Sequence, residues 1–168
     1  MNEPDTVDAA AGLSSGSPIG MLRRQRDVFV RHTQGSHDVL VVPRDPAGVS
    51  LVERAAAALR VATIERDPAL SAHYREQLRR AGADAATIAA AGQDAEVSAA
   101  SPRLAAILRH VALVATAPGS ATRARLVALQ QLGLAPRDIV TLAQIVAFVS
   151  YQVRVAAGLR ALAQEVRA

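Results

Sequence analysis

The side chains that could carry out chemistry in this 168-residue chain are few, and the first candidates are the neighbours His73 and Tyr74. An imidazole can accept or donate a proton near neutral pH, and a phenol can donate a hydrogen bond to a substrate oxygen. Both residues also have a structural alternative, in which His73 lies at a helix interface and Tyr74 packs in the core or between subunits. Both interpretations are compatible with the sequence.

Tyr151 and Arg154 form a second candidate site, because residues three positions apart share one face of a helix. Arg154 lies in an otherwise apolar run, where a buried guanidinium requires a partner. That partner could be the carboxylate of a substrate, or an acidic side chain in a structural ion pair.

The composition excludes several kinds of site. The sequence has no cysteine, which excludes disulfides, a redox CxxC pair, thiolate metal ligands and a cysteine nucleophile. His32 and His37 are expected to be exposed, and with His110 they show no spacing typical of metal ligands. We therefore expect neither a metal nor a cofactor.

The charge and the hydropathy of the sequence indicate whether nucleic acid or a membrane is an expected partner. All 19 basic residues are arginines, and the net charge is +4. Because basic and acidic residues are interspersed, with no basic stripe or aromatic stacking platform, we expect no nucleic-acid binding. The N-terminus lacks the pattern of a signal peptide, and the most apolar stretch, residues 139–149, is interrupted by Thr141 and Gln144. We expect no membrane association and a cytoplasmic location.

Helices must position these candidates. Aromatic residues make up only 2% of the chain, so the core is Ala, Leu, Val and Ile, which favours helices over a β-sandwich. Start signals from Ser, Asp and Pro and stop signals from Gly predict helices near 18–32, 50–66, 68–82, 84–91, 102–117, 120–133 and 136–165.

The chain is expected to divide into three parts: a disordered tail over residues 1–17, an N-terminal helix with an extended connector over 18–49, and a helical domain over 50–165. In that domain, Ser50 recurs as Ser101 and Gly82 as Gly133, both at an offset of 51 residues. This predicts two tandem three-helix repeats, about 50–92 and 101–143, separated by a linker over 92–100 and completed by a long C-terminal helix.

Four segments carry a family resemblance: ERAAAALRVA from Glu53, SPRLAAIL from Ser101, LVALQQLGL from Leu126, and AFVSYQVR from Ala147. In this order, with DIV from Asp138 before the last, they resemble the AhpD-like, peroxidase-related proteins of the carboxymuconolactone decarboxylase superfamily. The resemblance covers about residues 50–165 and implies an all-α, AhpD-like helical domain.

Redox members of that family use a glutamate, a CxxC pair and a histidine four residues after the second cysteine. Matching His73 to that histidine places Ala69 and Arg66 at the cysteine positions, so thiol-dependent peroxide reduction is excluded. Glu53 lies near the family's glutamate, one residue out of register.

Two functions remain open. The first is a non-redox or vestigial family member that acts as an oligomeric small-molecule-binding or partner protein. The second is a cysteine-independent lyase or isomerase, in which Glu53 fixes the tautomer of His73 and the imidazole transfers a proton. Glu53 also has a structural alternative, as the third residue of a capping box that begins at Ser50. The sequence leaves open whether the protein is an enzyme.

A homo-oligomer, either a dimer or a trimer, is expected from the last helix. Its apolar residues lie on more than one side, and a single subunit would leave part of this surface exposed. The residues concerned are Ile139, Leu142, Ile145, Val146, Phe148, Val149 and Val153.

Overall fold

The structure is a computed structural model that describes residues 5–92 and 101–166, and within those ranges it contains helices and no strand. The helices are α1 (Thr6–Ala11), α2 (Pro18–Arg24), α3 (Asp27–Leu40), α4 (Leu51–Ile64), α5 (Pro68–Arg80), α6 (Ala85–Gly92), α7 (Pro102–Thr116), α8 (Arg123–Gln131) and α9 (Pro136–Glu165), with a 3₁₀ turn at Pro118–Ser120. The all-α prediction is confirmed. Residues 93–100 of the predicted linker lie outside the described residues.

Helix α4 is the centre of the fold. It packs against α5, α6, α7 and α9, and its residues 54–62 are all buried. Four consecutive alanines, Ala55 to Ala58, have small side chains on every side of the helix. Neighbouring helices can therefore approach the α4 backbone closely. A core built from small aliphatic residues follows directly from the low aromatic content.

The two predicted repeats are built on matching helix boundaries. The hydroxyls of Ser50 and Ser101 cap α4 and α7 by accepting the N–H of Glu53 at 3.2 Å and of Leu104 at 3.1 Å. Gly82 and Gly133 follow α5 and α8 with φ of 88° and 85°, which glycine adopts without strain. The starts of α4 and α7 and the ends of α5 and α8 therefore have the same capping chemistry.

The prediction of a disordered tail is wrong for residues 5–17. Val7 and Leu13 are buried, and α1 packs against α5 and α9. Asp5 and Asp8 bind the guanidinium of Arg23 at 2.8 Å and 2.6 Å. Burial disfavours the charge on this guanidinium, but the two carboxylates outweigh it and raise the pKa of Arg23. Apolar packing and this ion pair together order the segment.

The predicted N-terminal helix over 18–32 is in fact two helices, and the second continues to Leu40. Half-buried or buried residues recur through α3 at Val30, Thr33, His37 and Leu40, which is the spacing of one helical face. This packing outweighs the helix-breaking tendency of the glycine within α3, so the first part of the predicted extended connector, up to Leu40, is helical.

The shorter connector that remains is held by Arg54. Its guanidinium donates to the carbonyl oxygens of Leu40, Pro46 and Val49 at 2.7 Å, 2.9 Å and 2.8 Å. Burial lowers the pKa of Arg54, and three carbonyl acceptors compensate for the lost hydration. The residue fixes the end of α3 against the start of α4.

Helix α9 is long and apolar enough, by length and composition, to cross a membrane. Its side chains Leu142, Ile145 and Val149 are fully buried, in contacts with α4, α7 and α1 of the same chain. The apolar side of α9 therefore forms part of the core of this fold.

Candidate functional site

A cleft with a volume of about 860 Å³ lies between α1, α3 and α5. Cavities of this size commonly hold small molecules. Most of the residues that line this cleft are polar or charged, among them Thr6, Arg24, Gln34, His37 and His73. The cleft thus brings one predicted site residue, His73, together with residues from the N-terminal helices.

His37 and His73 form a pair of imidazoles at this cleft. Their Nε2 atoms lie 3.4 Å apart, and the two rings meet edge to face with centroids 5.5 Å apart. Burial, together with the charges of His37 and Arg80, lowers the pKa of His73 to about 4. At neutral pH the imidazole of His73 is therefore uncharged and can donate or accept a hydrogen bond.

The second ring nitrogen of His37, Nδ1, contacts Asp38 and not His73. This Nδ1 lies 3.2 Å from Oδ1 of Asp38, and the amide nitrogen of Gln34 donates to the same oxygen at 2.8 Å. A carboxylate beside Nδ1 favours the tautomer with the proton on Nδ1. The lone pair of His37 Nε2 then points towards His73.

Tyr74 lies behind the imidazole pair and is fully buried. Its ring centroid is 5.0 Å from that of His73 and 6.3 Å from that of His37. Its hydroxyl donates to Oε1 of the buried Gln152, and burial raises the pKa of the Tyr74 phenol. Tyr74 supports the two imidazoles from the core and does not line the cleft.

Glu53 does not meet His73. Its carboxylate accepts the N–H of Ser50 at 2.8 Å, which completes the capping box of α4. The same carboxylate binds Nε of Arg103 at 2.6 Å. The structural role expected for Glu53 is present, and no contact among the described residues joins it to the imidazole.

Tyr151 and Arg154 also lie away from the cleft. The hydroxyl of Tyr151 is 3.1 Å from that of Thr33, and the Arg154 guanidinium is 3.6 Å from Glu65. The side chain of Arg154 is 68% exposed, so the expectation of a buried guanidinium is wrong. Exposure and the Glu65 pair fit the structural alternative for this residue.

The two positions matched to cysteines lie where α5 begins. Arg66 is exposed and has a φ of 59°, and Ala69 lies in the first turn of α5. Between them, Asp67 caps the helix through the N–H of Leu70 at 2.9 Å and binds Arg160 at 2.6 Å. An ion pair and a helix cap thus surround the place where the redox pair would stand.

Two residues of the site are not apparent from the sequence. His37 was expected to be exposed but is buried, because α3 extends past it. Gln152 is fully buried within the apolar run of α9. A polar residue in such a run is the one signal that could have indicated Gln152; for His37, the signal is its helical spacing from Val30 and Thr33.

Comparison with known proteins supports the fold of this chain and identifies no function. A solved structure of an uncharacterized peroxidase-related protein from Silicibacter sp. TM1040 is similar to this chain with a TM-score of 0.71. The similarity covers 94% of this chain and 90% of that chain, with 16% sequence identity. The two chains share a fold. No protein-family model matches the sequence, and no curated protein matches it significantly.

Proposed function

We propose that the protein is a cysteine-free relative of the AhpD-like, peroxidase-related proteins that binds a small carboxylic acid in the cleft between α1, α3 and α5. Two observations support the family assignment: the order of sequence segments from Glu53 to Arg154, and the fold shared with a peroxidase-related protein at a TM-score of 0.71. The absence of cysteine from the sequence removes the redox chemistry of that family.

The observation that carries the ligand proposal is Arg24. It lines the same cleft as the two imidazoles, and within residues 5–92 and 101–166 it makes no hydrogen bond or ion pair. The other guanidinium lining the cleft, Arg31, lies 3.4 Å from Asp27. An unpaired guanidinium binds a carboxylate well, and His73 lies at the same cleft.

Binding is supported better than proton transfer. The lyase or isomerase alternative needs Glu53 to orient His73, but the Glu53 carboxylate is engaged by Ser50 and Arg103. An imidazole whose pKa is about 4 is also a weak base at neutral pH.

Calorimetric titration of the full chain with succinate, after treatment with EDTA and desalting, tests the proposal. Succinamide has the same skeleton without the charges and is the matched probe. We expect saturable binding of succinate and at least tenfold weaker binding of succinamide. R24Q should also weaken succinate binding about tenfold or more, the equivalent of one charge-assisted hydrogen bond. R26Q, at an exposed arginine outside the cleft, is the control. Equal affinity in R24Q and R26Q, or no binding of succinate, would contradict the proposal.

A homo-oligomer is proposed as well, through a different surface from the one expected. The apolar residues of α9 on which that expectation was based are buried or half-buried within one chain. Helices α2 and α3 instead expose a group of large apolar side chains at 47–61%, namely Met21, Leu22, Val28 and Phe29. A second copy of the chain covering this surface would remove it from water.

A further inference from the structure

We propose that His37 and His73 together form a binding site for a divalent transition metal of the zinc or cobalt class. The sequence predicted no metal ligands, because no two histidines stand at a helical ligand spacing. The fold, however, brings two imidazoles together from α3 and α5, 36 residues apart. The inference does not depend on the proposed carboxylate ligand, since the pair can be tested for metal alone.

The first argument is the distance between the two nitrogens. Zinc–nitrogen bonds of about 2.0–2.1 Å at a tetrahedral angle place two ligand nitrogens about 3.4 Å apart. The Nε2 atoms of His37 and His73 are separated by 3.4 Å. That separation is longer than an ordinary hydrogen bond of about 2.7–3.2 Å, so the pair is spaced for a shared ion better than for a direct bond.

The second argument is the environment of each ring. Histidines that bind metals usually donate the proton of the other ring nitrogen to a carboxylate, which fixes the tautomer and orients the ring. His37 has this arrangement, with Nδ1 at 3.2 Å from Asp38. The Tyr74 ring packs against both imidazoles and holds their orientation from the core side.

The third argument is access. Both imidazoles line the cleft of about 860 Å³, so an ion can reach them from solvent. In residues 5–92 and 101–166, no group of three or more histidine or acidic side chains is arranged around one point. The pair therefore supplies two ligands and leaves the remaining positions to water or to an oxygen of a small molecule, as open metal sites do.

The ligand atoms at the imidazole pair determine which metal ions it prefers. Asp5 and Asp8 line the same cleft but are bound to Arg23, so the ligand atoms that the pair itself offers are nitrogens. Nitrogen ligands in this setting suit zinc, cobalt or copper, and do not suit magnesium or calcium, which require oxygen ligands.

The test is titration of the EDTA-treated, desalted full chain with Co²⁺, followed by visible absorption and calorimetry. We expect one Co²⁺ per chain and the intense visible bands of low-coordinate cobalt. H37Q and H73Q should each weaken binding at least tenfold, whereas H32Q, at an exposed histidine outside the cleft, should bind as the wild type does. Mg²⁺ should not compete, and Zn²⁺ should displace the cobalt.

No saturable Co²⁺ binding, or equal binding in H32Q, H37Q and H73Q, would overturn the proposal. If circular dichroism shows that a variant does not fold, an NMR titration of the wild type with Co²⁺ tests the site instead. Substoichiometric Co²⁺ should then broaden the ring proton signals of His37 and His73 before those of His32 and His110, and uniform broadening would contradict the site. Because the succinate titration uses metal-free protein, failure of one proposal does not decide the other.

Discussion

The hydroxyl of Tyr74 donates to the side-chain oxygen of Gln152, and this bond joins α5 to α9 directly behind the two imidazoles. Both side chains are fully buried. The amide nitrogen of Gln152 has no hydrogen-bond partner among the described residues, so this glutamine depends on Tyr74 for its pairing. The bond connects the candidate site to the core helix of the fold.

Tyr74→Phe should therefore destabilise the protein by about 1–3 kcal/mol, since it leaves the buried oxygen of Gln152 unpaired. Urea unfolding followed by circular dichroism measures this free energy. Y74F/Q152M should regain most of the loss, because replacing both partners of a buried polar pair by apolar groups is nearly neutral. A double variant as unstable as the sum of its singles would show that the bond is not the cause.

His73 predicts a dependence of stability on pH. Its pKa is about 4 in the folded chain and about 6.5 in an unfolded chain. Between these values the unfolded state binds more protons, so the stabilising contribution is present above pH 6.5 and is lost as pH falls towards about 4. The loss is on the order of 2–3 kcal/mol.

Comparison of the wild type with H73Q isolates this contribution, because His110 is shifted in the same direction by burial and remains in both proteins. Unfolding free energies measured in EDTA from pH 4 to 7 should rise more steeply in the wild type than in H73Q. H32Q is the control and should follow the wild type. Parallel curves for wild type and H73Q would contradict the lowered pKa of the half-buried His73.

Glu53→Gln separates a structural carboxylate from a catalytic one. The variant loses the charge that binds Arg103 at 2.6 Å, while the glutamine oxygen can still complete the capping box, so unfolding should become easier by about 1–2 kcal/mol. Affinity for succinate should not change. Glu76→Gln, in exposed pairs with Arg79 and Arg80, should alter stability by less than about 1 kcal/mol. Lost affinity at unchanged stability in E53Q would favour the enzyme alternative.

Two aspartate substitutions locate the proposed subunit interface. Phe29 is 61% exposed and Phe148 is 9% exposed. F29D should reduce the mass measured by light scattering to that of one chain, 17.5 kDa, while circular dichroism shows that the chain stays folded. F148D should unfold the protein, because it places a charge in the core. A wild-type mass of one chain would refute the oligomer, and unchanged assembly in F29D would refute its location.

The sequence predicts the six helices from α4 to α9 to within about three residues, because each boundary has its own chemical signal. Asp67-Pro68 and Ser101-Pro102 start α5 and α7, and Gly82 stops α5. These signals act over one helical turn, so they can be recognised without knowledge of the tertiary structure.

The N-terminal segments are predicted poorly because distant partners order them. Helix α1 contains six residues and depends on Arg23 and on its packing against α5 and α9. Asp5 caps α1 and Gly12 ends it with a φ of 68°, but an isolated helix of this length is unstable, so these local signals are not sufficient to predict it. The same limit hides His37, which joins the site only through the packing of α3.

The candidate site is predicted in part for the same reason. His73 was identified from its resemblance to a motif histidine, and it lines the cleft. The expected partner of His73 was Glu53, but Glu53 is bound to Ser50 and Arg103. The observed partner is His37, which lies outside residues 50–165, the region that resembles the family. Pairs formed across separate helices need the three-dimensional structure to be found.

Histidine resonances provide the most direct test that the cleft is a ligand site. The chain has four histidines, two at the cleft and two elsewhere, so the protein carries its own internal control. In a titration of the metal-free wild type with succinate at pH 7, the ring signals of His37 and His73 should shift together and saturate. Those of His32 and His110 should remain in place. Signals of His37 and His73 that do not move at saturating succinate, or four signals that move alike, would contradict ligand binding in this cleft.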